Sequence, residues 1–164
     1  MEVKCQKVGF RYQRNCPNVL NEINLKFSNG TINSIIGTNG SGKSTLLKLI
    51  CGYLRPTKGK VIVDDIVCSR RSSEIETMFL MQKIGYLPQT INDKVNSKTV
   101  LEELNIKKEE IKDIFKVLNI SFGVLDEEYA FLNNCLKRKV ALSKILIYNP
   151  NIIVLDEPTV GLDN

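Results

Sequence analysis

The 164-residue chain contains no histidine, and its five cysteines (Cys5, Cys16, Cys51, Cys68 and Cys135) include no C-x-x-C pair. A zinc site of the usual imidazole and paired-thiolate spacing is thereby excluded. The scattered, odd-numbered cysteines fit reduced thiols in the cytosol better than a disulfide framework. No apolar run approaches the roughly 18 residues that a membrane-crossing helix needs. The start Met1-Glu2-Val3-Lys4 has no apolar h-region, so no secretory signal is expected. Internal repeats, low-complexity tracts and long linkers are also missing. What remains is ordinary for a globular domain, with 43% hydrophobic and 25% charged residues. At this length one domain buries about 70% of its unfolded surface. The net charge of +5 admits a polyanionic partner. The basic residues are spread out, however, and the densest group, Lys137-Arg138-Lys139, reads as a solvated helix face rather than a nucleic-acid patch.

The most informative stretch that is present is Gly37-Thr38-Asn39-Gly40-Ser41-Gly42-Lys43-Ser44-Thr45. It fits G-x-x-x-x-G-K-[ST], the spacing of a phosphate-binding loop. An apolar stretch with strand character, Thr31 to Ile36, precedes it. Leu46-Leu47-Lys48-Leu49-Ile50 follows as a helix, closed by Gly52 in a cap position. Strand, glycine-rich turn and helix is the context such a loop requires. The extra glycines let backbone N–H groups wrap a polyphosphate, and the positive end of the helix beginning near Lys43 favours anions.

A second motif, Ile152-Ile153-Val154-Leu155-Asp156-Glu157, is four apolar residues ending in two acids. The run predicts a strand buried on both faces, as in a parallel sheet. Its carboxylates then lie at the C-terminal end, where open α/β sheets bind ligands. Asp156 is placed to hold Mg²⁺ through water, with Ser44 offering the metal a hydroxyl oxygen. Glu157 is the candidate to orient or deprotonate an attacking water.

With Pro158-Thr159-Val160-Gly161-Leu162-Asp163 after it, this motif resembles the second nucleotide motif and D-loop of ATP-binding cassette (ABC) ATPases. The resemblance runs over essentially the whole chain and implies ATP and Mg²⁺ as ligands. It places Tyr12, 25 residues before Gly37, where the family stacks an aromatic on adenine, and adds Val19 to the nucleotide contacts. Lys43 and the loop amides would hold the β- and γ-phosphates, and Thr45 the α-phosphate. Gln89, after Ile84-Gly85-Tyr86-Leu87-Pro88, falls at the family's Q-loop glutamine, which can ligate Mg²⁺ and lies beside the membrane-partner surface. The implied catalytic set is Glu157, Lys43 and Gln89, and the implied metal set is Ser44, Gln89 and Asp156.

Two departures from the family stand out. Its Leu-Ser-Gly-Gly-Gln signature aligns with Leu132-Asn133-Asn134-Cys135-Leu136, where only the leucine matches. Asn133 can still cap a helix, but Cys135 adds a Cβ and Leu136 removes a polar side chain. The family also continues past its D-loop to a further strand and a γ-phosphate histidine. A missing mid-sheet strand is expected to leave a central gap or force a rearrangement, and the 164 residues alone are expected to be marginally stable and nearly inactive.

The expected fold is α/β: a P-loop NTPase core with a mostly parallel sheet, an N-terminal antiparallel β portion and a small inserted helical subdomain. Residues 1–88 and 137–164 would form the core and 89–136 the helical part. Short strands are expected around Val3 to Phe10 and Ile23 to Phe27, with a turn at Asn29-Gly30. Lys60 to Val63 and Ile84 to Leu87 read as strands, and Ser73 to Gln82, Thr99 to Leu104 and Leu136 to Tyr148 as helices. Within Lys108 to Leu118, Ile111, Ile114, Phe115 and Leu118 recur on one helical face.

The function implied is the ATP-binding subunit of a transporter. It would sit on the cytoplasmic face of the cell membrane, pair with a second ABC ATPase domain as a homo- or heterodimer, and drive a transmembrane permease. The stretch Phe10-Arg11-Tyr12 and the spacing from Gln89 to Thr99-Val100 resemble importer cassettes for vitamins or metal cations. Two other readings are a weakly hydrolytic or non-hydrolytic partner in a heterodimer, and a soluble cassette ATPase acting on ribosomes or DNA. No specific nucleic acid is expected.

Overall fold

The computed structural model describes residues 2–91 and 99–159. The chain divides into two compact units, Met1–Ile84 and Gly85–Asn164. In the first unit, β1 (Val3–Phe10), β2 (Leu20–Phe27), β3 (Lys58–Val63) and β4 (Ile66–Ser69) form a four-stranded sheet in the order β2-β1-β3-β4. Every neighbouring pair is antiparallel, as expected for the N-terminal portion. β1 buries Val3, Cys5, Val8 and Phe10. The period-two alternation slips once, because a register shift lies between Cys5 and Val8, where Lys7 takes a φ of 48°. Leu46, Leu49 and Ile50 of α1 (Lys43–Ile50) are buried, and Gly52 follows that helix at φ 82° in the left-handed form common after a helix end. α2 (Glu74–Lys83) starts with a reciprocal capping box between Ser73 and Glu76.

The stretch from Thr31 to Ile36 departs from expectation. The turn at Asn29-Gly30 forms, with Gly30 at φ 70°, but residues 31–38 carry no strand. Ile32 is 102% and Ile36 92% exposed. A strand exists only through the neighbour that pairs its backbone, and no strand of the described residues pairs with this one. Its side chains bond locally instead: Thr31 Oγ1 donates to the Ser28 carbonyl at 2.7 Å, and Asn33 Nδ2 donates to Thr31 Oγ1 at 2.8 Å.

β5 (Ile84–Leu87), which opens the second unit, and β6 (Ile152–Leu155) form a two-stranded sheet, with three helices between them among the described residues. These are α3 (Val100–Leu104), α4 (Lys108–Val117) and α5 (Asn134–Ile147). Short 3-10 turns at Phe122–Asp126 and Tyr129–Phe131 link α4 to α5. Val100, Leu104, Ile111, Phe115, Leu125 and Val140 centre one apolar cluster. The face expected on α4 is the one that packs: Ile111 and Phe115 are fully buried, and Ile114 and Leu118 lie against the cluster. β6 is a strand as expected, but it is not buried on both faces. Val154 is buried while Ile153 and Leu155 are 43% and 38% exposed, because among the described residues its sheet holds only β5 and β6. No helix of the described residues is long and apolar enough to cross a membrane.

Candidate functional site

The loop Gly37 to Thr45 opens α1 in the first unit. The helix N-cap is Gly42, at φ 93° and ψ 11°, and no side chain caps it. A Cβ there would lie 2.9 Å from Leu20 Cδ2, 3.1 Å from Val19 Cγ1 and 3.3 Å from the Val19 carbonyl. Both the dihedral and the close approach therefore demand glycine. α2, α3 and α5 differ, since Ser73, Thr99 and Asn133 each accept a hydrogen bond from a first-turn N–H. The first turn of α1 also carries no acid. A helix start with neither a side-chain cap nor a carboxylate is what an incoming anion needs.

Lys43 Nζ spans the loop, donating to the carbonyls of Gly37 at 2.9 Å and Thr38 at 3.0 Å. The Ser41 N–H donates to the Thr38 carbonyl at 3.2 Å. The turn thus brings the lysine over the glycine-rich backbone, while Thr38, Asn39, Gly40 and Ser41 stay exposed and Ser44 is half-buried. Thr45 is buried, and its Oγ1 lies 2.9 Å from the Tyr12 hydroxyl, either of them donating. The Tyr12 ring is 59% exposed and meets Phe10 edge-on, with centroids 4.9 Å apart. Tyr12, Thr45, Val19 and Gly42 are thus brought together around the loop. An exposed aromatic anchored by its hydroxyl can stack on a planar ligand.

The second unit holds the acids. Asp156 is 3% exposed; its N–H donates to the Leu87 carbonyl at 2.9 Å, and its carboxylate accepts from the Tyr86 hydroxyl at 3.2 Å. Glu157 stands at φ 48°, a left-handed conformation that costs about 1–2 kcal/mol for a residue with a Cβ. Gln89 Nε2 donates to Glu157 Oε2 at 2.6 Å, so two side chains 68 residues apart in sequence meet directly. Val160, Gly161, Leu162 and Asp163 of the expected D-loop lie outside the described residues.

The run Lys137-Arg138-Lys139 is not a uniformly solvated face. Arg138 is 8% exposed and donates to three backbone carbonyls, those of Gln89 at 3.1 Å, Asp156 at 3.2 Å and Glu157 at 2.6 Å. Its burial is compensated by charge-assisted bonds. Tyr86 and Arg138 are the residues of this site that the motifs do not reveal. The one local signal for Arg138 is its helical spacing, seven residues before Ile145. Ile145 Cγ2 would stand 2.3 Å from a Cβ on Gly85 of β5, so the face of α5 carrying both residues turns toward that strand.

The segment Leu132 to Leu136 sits where the unit's core begins. Leu132 is buried, Asn133 Oδ1 caps α5 by accepting from the Leu136 N–H at 2.8 Å, and Leu136 packs on the apolar cluster. No group of three or more His, Cys, Asp or Glu among the described residues could hold a metal ion.

The family model described as ABC transporter matches residues 20–160. The chain is 37% identical over 175 residues to the energy-coupling factor transporter ATP-binding protein EcfA2 of Lactococcus lactis, covering 98% of this chain and 61% of the relative. It spans only 37% of another curated relative's length. Among solved structures, cbiO1 of Clostridium perfringens, part of the ABC transporter complex cbiONQ, superposes with a TM-score of 0.79 at 27% identity, over 98% of this chain and 67% of that one. The cassette MJ0796, captured as a dimer with ADP and phosphate, gives 0.85 at 26% identity over 99% and 76%. The fold is that of the P-loop ATPase domains, and the chain belongs to the ABC transporter family.

Proposed function

We propose that this chain binds MgATP and hydrolyses it to ADP and phosphate, so driving transport through a membrane permease. The observation that carries this reading is the uncapped start of α1 behind Gly42, with Lys43 lying across the loop carbonyls. On binding, Lys43 exchanges those carbonyls for the β- and γ-phosphate oxygens, and the amides of Gly37 to Lys43 close around the β-phosphate. Thr45 holds the α-phosphate, and Tyr12, helped by Val19, packs on the base. Mg²⁺, when bound, would neutralise phosphate charge; Ser44, Gln89 and Asp156 are the residues that would hold it. Glu157 accepts a proton from the attacking water and orients it in line with the leaving oxygen. Phosphoryl transfer asks the protein mainly for positioning and charge stabilisation, which this donor set supplies.

In this reading residues 1–88 and 137–164 act as the nucleotide core and 89–136 as the helical part. The chain would pair with a second cassette and a permease at the inner face of the membrane; MJ0796, captured as a dimer, and cbiO1, part of a transporter complex, support the pairing and the transport role. Glu157→Gln tests the chemistry: single-turnover hydrolysis should fall about 10²–10⁴-fold while binding is spared. Unchanged hydrolysis in the variant would remove Glu157 from that role.

A second reading is favoured by Leu132 to Leu136. Asn133 is engaged as the cap of α5 and Leu136 in the apolar cluster, so this surface offers a partner's nucleotide little. The chain would then act in a heterodimer, its own loop completed by an intact signature from the other cassette. Mixing with such a cassette should raise turnover, and a homodimer equally active by itself would count against it.

A further inference from the structure

Of the three consecutive basic residues at the start of α5, Arg138 is the one whose charge is taken inside. Its Nη1 donates to the Gln89 carbonyl, and its Nη2 to the carbonyls of both Asp156 and Glu157. Those carbonyls belong to two separate loops, one following β5 and one following β6. The side chains of the same loops then meet, Gln89 Nε2 donating to the Glu157 carboxylate at 2.6 Å. Glu157 is also left-handed, a conformation that persists only where surrounding groups enforce it. A guanidinium suits this task because it is planar, always charged and presents donors in a rigid fork; a lysine offers one point charge.

We propose that Arg138 is a positioning residue for hydrolysis: it ties the backbone of Gln89 to that of Asp156 and Glu157, and so fixes the Gln89 amide against the Glu157 carboxylate. The proposal rests on the reading that Glu157 activates water. Arg138 itself touches neither nucleotide nor water in this scheme. Its loss should therefore lower the chemical step far more than nucleotide affinity, which rests mainly on Gly37 to Thr45 and Tyr12. Because Arg138 and Gln89 act on Glu157 as one unit, their removal should not be additive.

The test uses the full 164-residue chain as wild type, Arg138→Met, Arg138→Lys and the double variant Arg138→Met with Gln89→Ala. Single-turnover hydrolysis at saturating MgATP is measured beside MgATP affinity. The Gln89 side-chain amide resonance is followed without nucleotide. Arg138→Met should slow turnover by about 100-fold, the scale on which small misplacements act, with a far smaller change in affinity. With Mg²⁺ and ATP both saturating, the double variant should lose little beyond Arg138→Met, and in Arg138→Met the Gln89 resonance should move. Arg138→Lys, which keeps the charge and most of the stem, guards against simple misfolding and should recover only part of the rate. Full recovery by lysine, an unmoved resonance, or equal losses of turnover and affinity in both single variants would overturn the proposal. Very slow hydrolysis by the wild type is what these 164 residues alone are expected to show, and it leaves the clamp to be judged on the position of Gln89. The Gln89 resonance then decides the clamp, supporting it if both Arg138 variants move it and overturning it if neither does.

Discussion

Replacing Gly42 by alanine separates two physical demands that the phosphate loop makes on one residue. Gly42 stands at φ 93°, where an L-residue costs about 1–2 kcal/mol. Its added methyl would also lie 2.9 Å from Leu20 Cδ2 and 3.1 Å from Val19 Cγ1, and Leu20 is only 5% exposed and has little room to retreat. Overpacking of this kind adds about 1–3 kcal/mol. Gly40 provides the control, because it has a φ of 78° but nothing within 4 Å of where a methyl would stand. Gly40→Ala should thus cost only the backbone term, about 1–2 kcal/mol, and Gly42→Ala about 2–5 kcal/mol in total. Urea unfolding of the three proteins in parallel gives the two differences, and MgATP titration shows whether the loop still closes. Gly42→Ala should weaken MgATP binding more than Gly40→Ala does. Equal stabilities and equal affinities for the two variants would refute the close approach of the loop to Val19 and Leu20.

Asn133→Ala removes the side-chain cap of α5 and should cost about 0.5–2 kcal/mol in urea unfolding; an unchanged midpoint would mean the cap contributes nothing. Burial pushes the Cys5 thiol from its ordinary value of 9.0 up to about 11. The unfolded chain therefore loses this proton at lower pH than the folded one, so the contribution of Cys5 is complete below pH 9.0 and fades as pH rises toward about 11. Cys5→Ala should flatten the loss of stability in that window, and an identical slope in wild type and variant would contradict it.

Much of this site is legible in the sequence because its signals are local. The glycines of the phosphate loop and Lys43 lie within nine consecutive residues, and the loop does open a helix at Lys43. The capped starts at Ser73 and Thr99 and the Ile111-Phe115 face are likewise set by neighbours three or four residues away. What escaped depends on distant partners. A run of three basic residues looks solvated, and only carbonyls 49, 18 and 19 residues away draw Arg138 inside. Tyr86 reaches Asp156 across 70 residues, with no spacing rule to announce it. The apolar pattern of Thr31 to Ile36 is that of a strand, yet pattern does not supply the second backbone a strand requires. The same holds for Ile153 and Leu155, whose exposure reflects a sheet that holds two strands among the described residues rather than anything in the run itself.

The central claim is that Gly37 to Thr45 binds MgATP through Lys43, and titration calorimetry of the wild type against Lys43→Ala tests it most directly. Lys43 is on the loop and its charge-assisted phosphate contacts are worth about 1.5–3 kcal/mol, so the variant should bind at least several-fold more weakly. The wild type should bind one MgATP per chain, with Lys43→Ala still folded and its affinity sharply reduced. Equal affinities in the two proteins, or no binding by the folded wild type, would contradict the account.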